Sequence, residues 1–156
     1  MQLTQYSDIG LRLLMYLSKE RSTIPAVTLA EVSDQFNIPR NHLAKVAAKL
    51  VKYGWIESIR GRSGGIRLAI EPSEIVLGKV LRVLEGHVEV IDCNKLQCRL
   101  KNVCALKQIL ESAYAGFFIV LDQYTLADVT DGLAANEIGN MHRGFIEIFL
   151  NNSAVH

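Results

Sequence analysis

The sequence predicts a mainly α-helical fold with a small β wing, a winged helix-turn-helix joined to a long dimerisation helix. Three observations predict it. Two short amphipathic patterns flank the turn Asn37-Ile38-Pro39, a glycine-rich hairpin follows them directly, and residues 105–124 carry a broad apolar stripe. The chain has 156 residues, 49% apolar and 21% charged, which suits one domain, or a small domain with an appended segment, around a real core. No stretch has the composition of disorder. The longest uncharged run, residues 112–121, is roughly half of what a membrane-spanning helix needs, and no basic n-region leads an apolar stretch at the N-terminus. A folded, soluble, cytoplasmic protein without a membrane partner is expected.

In order along the chain, residues 5–18 place Ile9, Leu13, Tyr16 and Leu17 on one face, widened by Leu11, Leu14 and Met15, so a largely buried helix is predicted. Thr4 is its expected N-cap. After a loop around Pro25, Thr28 caps a helix over 29–36 with Leu29, Val32 and Phe36 inward and Glu31 at the capping-box position. A second helix over 40–53 turns Leu43, Val46, Ala47, Leu50 and Val51 inward and Arg40, Asn41, Lys45 and Lys49 outward, and Gly54 stops it. Residues 55–59 and 66–70 read as strands, the second alternating Ile66, Leu68, Ile70 in and Arg67, Ala69 out. Between them, Arg60-Gly61-Arg62-Ser63-Gly64-Gly65 supplies the turn glycines and two cations. A short helix over 77–85 ends at Gly86.

The next helix, 105–124, has Leu106, Ile109, Leu110, Ala113, Tyr114, Phe117, Phe118, Leu121 and Tyr124 on its stripe, more than a winged helix alone can cover, which predicts a homodimer. Beyond a capped turn at Thr125-Leu126-Ala127-Asp128 the pattern weakens, with Gly132 and Gly139 read as breaks and residues 145–150 as an isolated apolar segment. The expected division is a DNA-binding domain over 1–86, a cysteine loop over 87–104, a dimerisation helix and cap over 105–130, and a tail over 131–156. No internal repeat, phosphate-binding glycine loop or nucleophile–base pair stands out, so an enzyme is not expected.

Charge distribution says more than the net charge of +1. Residues 1–86 hold 12 Lys or Arg against 8 Asp or Glu, whereas residues 87–156 hold 5 against 8. Within 39–67, seven cations face one acid, Glu57, a footprint suited to a polyanion. In a winged helix the free face of the second helix enters the major groove, so Arg40, Asn41, His42, Lys45 and Lys49 are candidate DNA contacts. From the hairpin, Arg60, Arg62, Ser63, Gly64 and Arg67 join them, tracking phosphates or the minor groove.

All three cysteines, Cys93, Cys98 and Cys104, fall within twelve residues, spaced C-x4-C-x5-C. An odd, clustered set points to a reducing compartment and thiolate chemistry rather than to a disulfide framework. Looser spacing with three thiolates suits an iron–sulfur cluster; zinc, which favours four ligands and C-x2-C knuckles, redox thiols and coincidence stay open.

Together these pieces resemble the winged-helix transcription regulators that carry an iron–sulfur cluster, in particular the nitric-oxide-sensing repressors among them. The resemblance covers about residues 1–130. It rests on Met1-Gln2-Leu3-Thr4 with Asp8, Gly10, Leu11 and Arg12, on Arg40-Asn41-His42, on residues 60–68, on the cysteine spacing and on Tyr124-Thr125-Leu126-Ala127-Asp128. The family's cluster-assembly regulator carries a histidine three residues past its last cysteine; Lys107 stands there in this chain, which favours the nitric-oxide sensors. The resemblance implies a repressor that binds a double-stranded operator with inverted-repeat half-sites and releases it on nitrosylation. It implies a cluster, 4Fe–4S in preference to 2Fe–2S, on Cys93, Cys98 and Cys104, with Asp8 of the partner subunit as fourth ligand and Arg12 in support. The alternatives are a regulator of the same fold sensing iron or cluster supply and, from a different class, an iron–sulfur electron-transfer protein.

Overall fold

The computed structural model describes residues 2–19, 26–61, 64–86, 90–93, 95, 98–100 and 103–153, without the side chains of 149–153. Pro25, Arg62 and Ser63 lie outside the described residues. The elements run α1 (Gln5–Leu17), α2 (Leu29–Phe36), α3 (Arg40–Lys52), β1 (Ile56–Ile59), β2 (Gly65–Leu68), a 3-10 turn (Pro72–Glu74), α4 (Leu77–Glu85), α5 (Ala105–Leu121), α6 (Leu126–Val129) and α7 (Gly132–Ser153). This is a mainly helical chain with a two-stranded antiparallel wing. Among the described residues no helix is long and apolar enough to cross a membrane.

Local chemistry sets the boundaries. The Thr4 hydroxyl accepts from the Ser7 N–H and the Thr28 hydroxyl from the Glu31 N–H, so each of the first two helices begins on a threonine cap. Asn37 ends α2 in the left-handed conformation, φ 51°, which aims the chain into α3; Gly54, φ 74°, follows α3. The apolar stripes meet in one core, with Leu13, Leu14 and Tyr16 of α1 against Val32, Leu43, Val46, Leu50, Ile56 and Val80. Glu31 is buried there and accepts the Tyr16 hydroxyl at 2.7 Å, so its carboxyl belongs to the core as well as to the first turn of α2.

The wing pairs Ile56 with Leu68, Glu57 with Arg67, Ser58 with Ile66 and Ile59 with Gly65. Val27 bridges to Ile66 from the other side. A Cβ on Gly65 would strike the Val27 carbonyl, and one on Gly64 the carbonyls of Ile59 and Gly61. Both glycines are therefore required by close backbone approach.

Four sequence readings need correction. Val51 is exposed, because α3 buries only the face bearing Leu43, Val46, Ala47 and Leu50. Ile70 is also exposed, since pairing stops at Leu68 and the chain bends toward Pro72. The long helix ends at Leu121, with Asp122 as C-cap, not at Tyr124. Gly132 and Gly139 do not break the C-terminal segment: α7 runs from Gly132 through Ser153, and buried Ile138 and His142 outweigh the poor helix propensity of Gly139.

Two clasps join the winged helix to the helices behind it. The Arg82 guanidinium holds both Asp122 carboxylate oxygens at 2.6 Å and lies 4.6 Å over the Phe118 ring, fixing α4 to the end of α5. The Tyr124 carbonyl accepts from the Leu77 N–H at 2.9 Å and the Leu126 N–H donates to the Ile75 carbonyl at 2.8 Å, while Thr125 and Asp128 form a capping box. Hydrogen bonding from Arg82 holds the Asp122 carboxyl below its ordinary value of 3.8, and bonds from the Thr125 N–H and hydroxyl do the same for Asp128. A carboxyl that is more acidic folded than unfolded stabilises the fold fully above the unfolded value and loses that contribution as pH falls through the folded one. Stability should therefore fall as the pH drops below about 4, and Asp122→Asn or Thr125→Ala should flatten that fall, read as helicity against pH.

Candidate nucleic-acid interface and cysteine loop

The second helix of the helix-turn-helix presents Arg40, Asn41 and Lys45 to solvent, with His42 and Lys49 half-buried beside them. Tyr6 of α1 fixes this face. Its hydroxyl donates to the Lys45 carbonyl at 3.1 Å, and its ring lies 5.4 Å from the Lys49 ammonium. Tyr6 was not among the sequence-predicted site residues; its signal was an aromatic on the first turn of α1, outside the stripe of Ile9, Leu13 and Tyr16. On the wing, Arg60 is exposed at the end of β1. Arg67 is tied across the strands to Glu57 at 2.6 Å, so the one acid of the basic segment neutralises one of its cations. Gly64 closes the turn through its N–H to the Gly61 carbonyl at 3.0 Å, and Gly61 takes φ 114°.

Asp8 and Arg12 stand one turn apart on α1. Both Asp8 oxygens lie 2.9 Å from Arg12 Nε, in a pair whose side chains are half exposed. The cysteines lie between α4 and α5. Cys93 is buried, Cys98 and Cys104 are half-buried, and all three are free thiols. The Cys98 N–H donates to the Cys93 carbonyl at 3.1 Å, and Cys104 is the N-cap residue of α5. Among the described residues of the single chain, no three His, Cys, Asp or Glu side chains are gathered to hold a metal ion. By donor chemistry the set nonetheless fits an iron–sulfur cluster, whose ligands are thiolates, better than a hard cation, which takes oxygens.

Beyond the cysteines, α5 is apolar and uncovered. Leu106, Ile109, Ile119 and Val120 are each more than half exposed, and only Phe118 of this helix is buried.

Comparison with known proteins gives the arrangement a context. Residues 3–132 match the Rrf2 family, described as iron-dependent transcriptional regulators. The chain is 41% identical over 132 residues to the HTH-type transcriptional regulator NsrR of Bacillus licheniformis, an alignment covering 83% of this chain and 92% of that one. It is 40% identical over 141 residues to the NsrR regulator of Geobacillus kaustophilus, covering 86% and 93%. Among solved structures it resembles the oxidised form of Staphylococcus aureus CymR, with TM-score 0.67 at 25% identity over 85% of this chain and 98% of that one. T. potens IscR superimposes with TM-score 0.65 at 26% identity, over 83% and 85%. The match to a family of transcriptional regulators speaks against the electron-transfer alternative. The chain belongs to the Rrf2 family of winged-helix, DNA-binding transcriptional regulators, and it is similar to the NsrR members of that family.

Proposed function

We propose that this protein is a dimeric repressor whose affinity for an inverted-repeat operator is set by an iron–sulfur cluster sensitive to nitric oxide. The observation that carries the reading is the union, in one chain, of a solvent-facing basic helix α3 with three free cysteines placed just before the uncovered apolar helix α5. Cys93, Cys98 and Cys104 would hold the cluster, 4Fe–4S in preference to 2Fe–2S, and Asp8 of the partner subunit would supply an oxygen ligand. When bound, the group supplies iron to which nitric oxide binds.

The chain's own residues do the rest. Arg12 orients the Asp8 carboxylate through its paired contacts. Cys104 stands where the first-turn N–H groups of α5 favour an anion. The Arg82–Asp122 pair and the backbone bonds from Leu77 to Tyr124 and from Leu126 to Ile75 transmit the orientation of α5 to the winged helix. Helix α5, with its partner's copy, sets the spacing of two reading heads about one DNA turn apart.

On the DNA side, Arg40, Lys45, Lys49, Arg60 and Arg62 serve the phosphates, and Asn41 and His42 lie where base edges pass. Ser63 and Gly64 complete the contact set of the hairpin, and Arg67 contributes from its ion pair with Glu57. Lys45→Ala should weaken binding to all sequences and lower the salt slope by about one unit. Asn41→Ala should cost about 1–3 kcal/mol on the operator and little on random DNA. Fluorescence anisotropy across a salt series separates the two, and an Asn41 variant with unchanged operator preference overturns its base-reading role.

The family's description as iron-dependent favours one second reading, a sensor of iron or cluster supply. The experiment that decides is native mass spectrometry of anaerobically purified protein, paired with DNA binding, during stepwise nitric oxide addition. Uptake of nitric oxide by an iron- and sulfide-bearing dimer, with release of DNA, supports the proposal. Release on chelation of iron with indifference to nitric oxide supports the second reading.

A further inference from the structure

We propose that the cavity between α1, the end of α2 and the first turns of α7 is a binding site for a small hydrophobic cation, an aryl- or alkylammonium compound, with Glu137 as its counter-ion. The cavity holds about 400 Å³ and is walled by Leu11, Met15, Tyr16, Phe36, Ile138 and Met141. That volume is within the range of small-molecule sites, roughly 300–1,000 Å³. The wall is set in advance of any ligand: Tyr16 is fully buried, its hydroxyl is bonded to Glu31, and its ring meets Phe36 and His142 edge-on at 5.6 and 4.3 Å. The two methionines supply polarizable surface that adapts to differently shaped apolar bodies, and aromatic rings attract a cation.

Charge at the mouth selects the sign of the ligand. Asp8, Arg12 and Glu137 all border the cavity. Asp8 and Arg12 cancel one another in an ion pair whose Nε meets both carboxylate oxygens. Glu137 accepts only a long bond from Asn140 Nδ2 at 3.4 Å, and among the described residues no cation pairs with it. One uncompensated carboxylate above an apolar pocket favours an ammonium group and disfavours an anion. Phe36 is the last residue of α2, one position before the left-handed Asn37 that turns the chain into α3, so the site touches the DNA-reading unit directly. Asp8 and Arg12 at the mouth are also the residues proposed above to serve the partner's cluster, but neither the apolar wall nor Glu137 belongs to that ligand set.

The test is isothermal titration calorimetry of the full chain with phenethylammonium and with 2-phenylethanol, its neutral near-isostere. The cation is expected to bind more tightly than the alcohol. Glu137→Gln should weaken the cation about fivefold and leave the alcohol unchanged. Ala134→Phe, which fills the cavity from α7, and Leu11→Trp, which fills it from α1, should each abolish binding of both, with helicity confirming the fold of whichever variant is used. Failure of the wild type to bind the cation, as when a partner's segment occupies the cavity, overturns the proposal. So does equal affinity for the two probes, an unaffected Glu137→Gln variant, or undiminished binding by a folded cavity-filled variant.

Discussion

Alanine at any one of Cys93, Cys98 or Cys104 is expected to reduce bound iron to background and to abolish the response of DNA binding to nitric oxide, while the helices persist. The asymmetry follows from where the sulfurs sit. Cys104 makes no side-chain cap bond at the start of α5, so losing its sulfur removes no hydrogen bond from the helix. The turn between Cys93 and Cys98 is closed by a backbone bond that alanine keeps. Only Cys93 is buried, and trimming one small sulfur from a loop leaves the main core around Leu13, Leu43 and Val80 intact. On the ligand set proposed above, three thiolates would then be reduced to two, too few to retain a cluster whose fourth ligand is a carboxylate. Asp8→Ala makes the contrast. It should keep iron on the three thiolates yet weaken the coupling to DNA, and a hundredfold loss of affinity requires only about 2.7 kcal/mol of misalignment between half-sites. Iron and sulfide content, circular dichroism and operator anisotropy on the four variants check this. A cysteine variant that retains full iron removes that residue from the ligand set, and an Asp8 variant with an unchanged response removes the carboxylate.

The winged helix was legible because its signals are local. Thr4 and Thr28 cap within their own first turns, Asn37 adopts the left-handed conformation its side chain tolerates, and the glycines of the hairpin mark a turn. What escaped depends on partners distant in sequence. Val51 and Ile70 have the right composition for the core, but their exposure is decided by where α1 and the wing stop. Glu31 satisfied a capping pattern, and nothing nearby announced that Tyr16, fifteen residues earlier, would reach its carboxyl. Helix α7 was obscured by two glycines, whose cost is offset by Ile138 and His142 packing on α1. At the site, the solvent-facing positions of Arg40 and Asn41 could be read from helical periodicity, and the grouping of the cysteines from their spacing. The Arg67–Glu57 bond and the role of Tyr6 could not, because the first needs the strand register and the second the crossing of α1 over α3.

Leu126→Ala should be among the most destabilising single changes in the chain, by about 2–5 kcal/mol. Leu126 is fully buried and belongs to the same core as Leu13 and Ile75, although it lies beyond the long helix α5. Its N–H is bonded to the Ile75 carbonyl, the preceding Thr125 is bridged to Val76, and Thr125 and Asp128 cap the turn that presents it. The side chain thus plugs the winged-helix core at the point where the chain returns from α5, held on a backbone frame that cannot close over a vacated volume. A residual cavity, rather than collapse, is the expected consequence, and it places the cost in the upper part of the range. Set against a typical stability of about 5–15 kcal/mol, this is a large fraction of the total, equivalent to a fall in Tm of roughly 5–15 °C. Thr125→Ala, which leaves the plug and removes its cap, should cost only about 1 kcal/mol. Thermal unfolding of the two variants separates the contributions. If Leu126→Ala unfolds within about 2 °C of the wild type, the return segment is not seated in the core and the clasp between α5 and the winged helix rests on Arg82 and Asp122 alone.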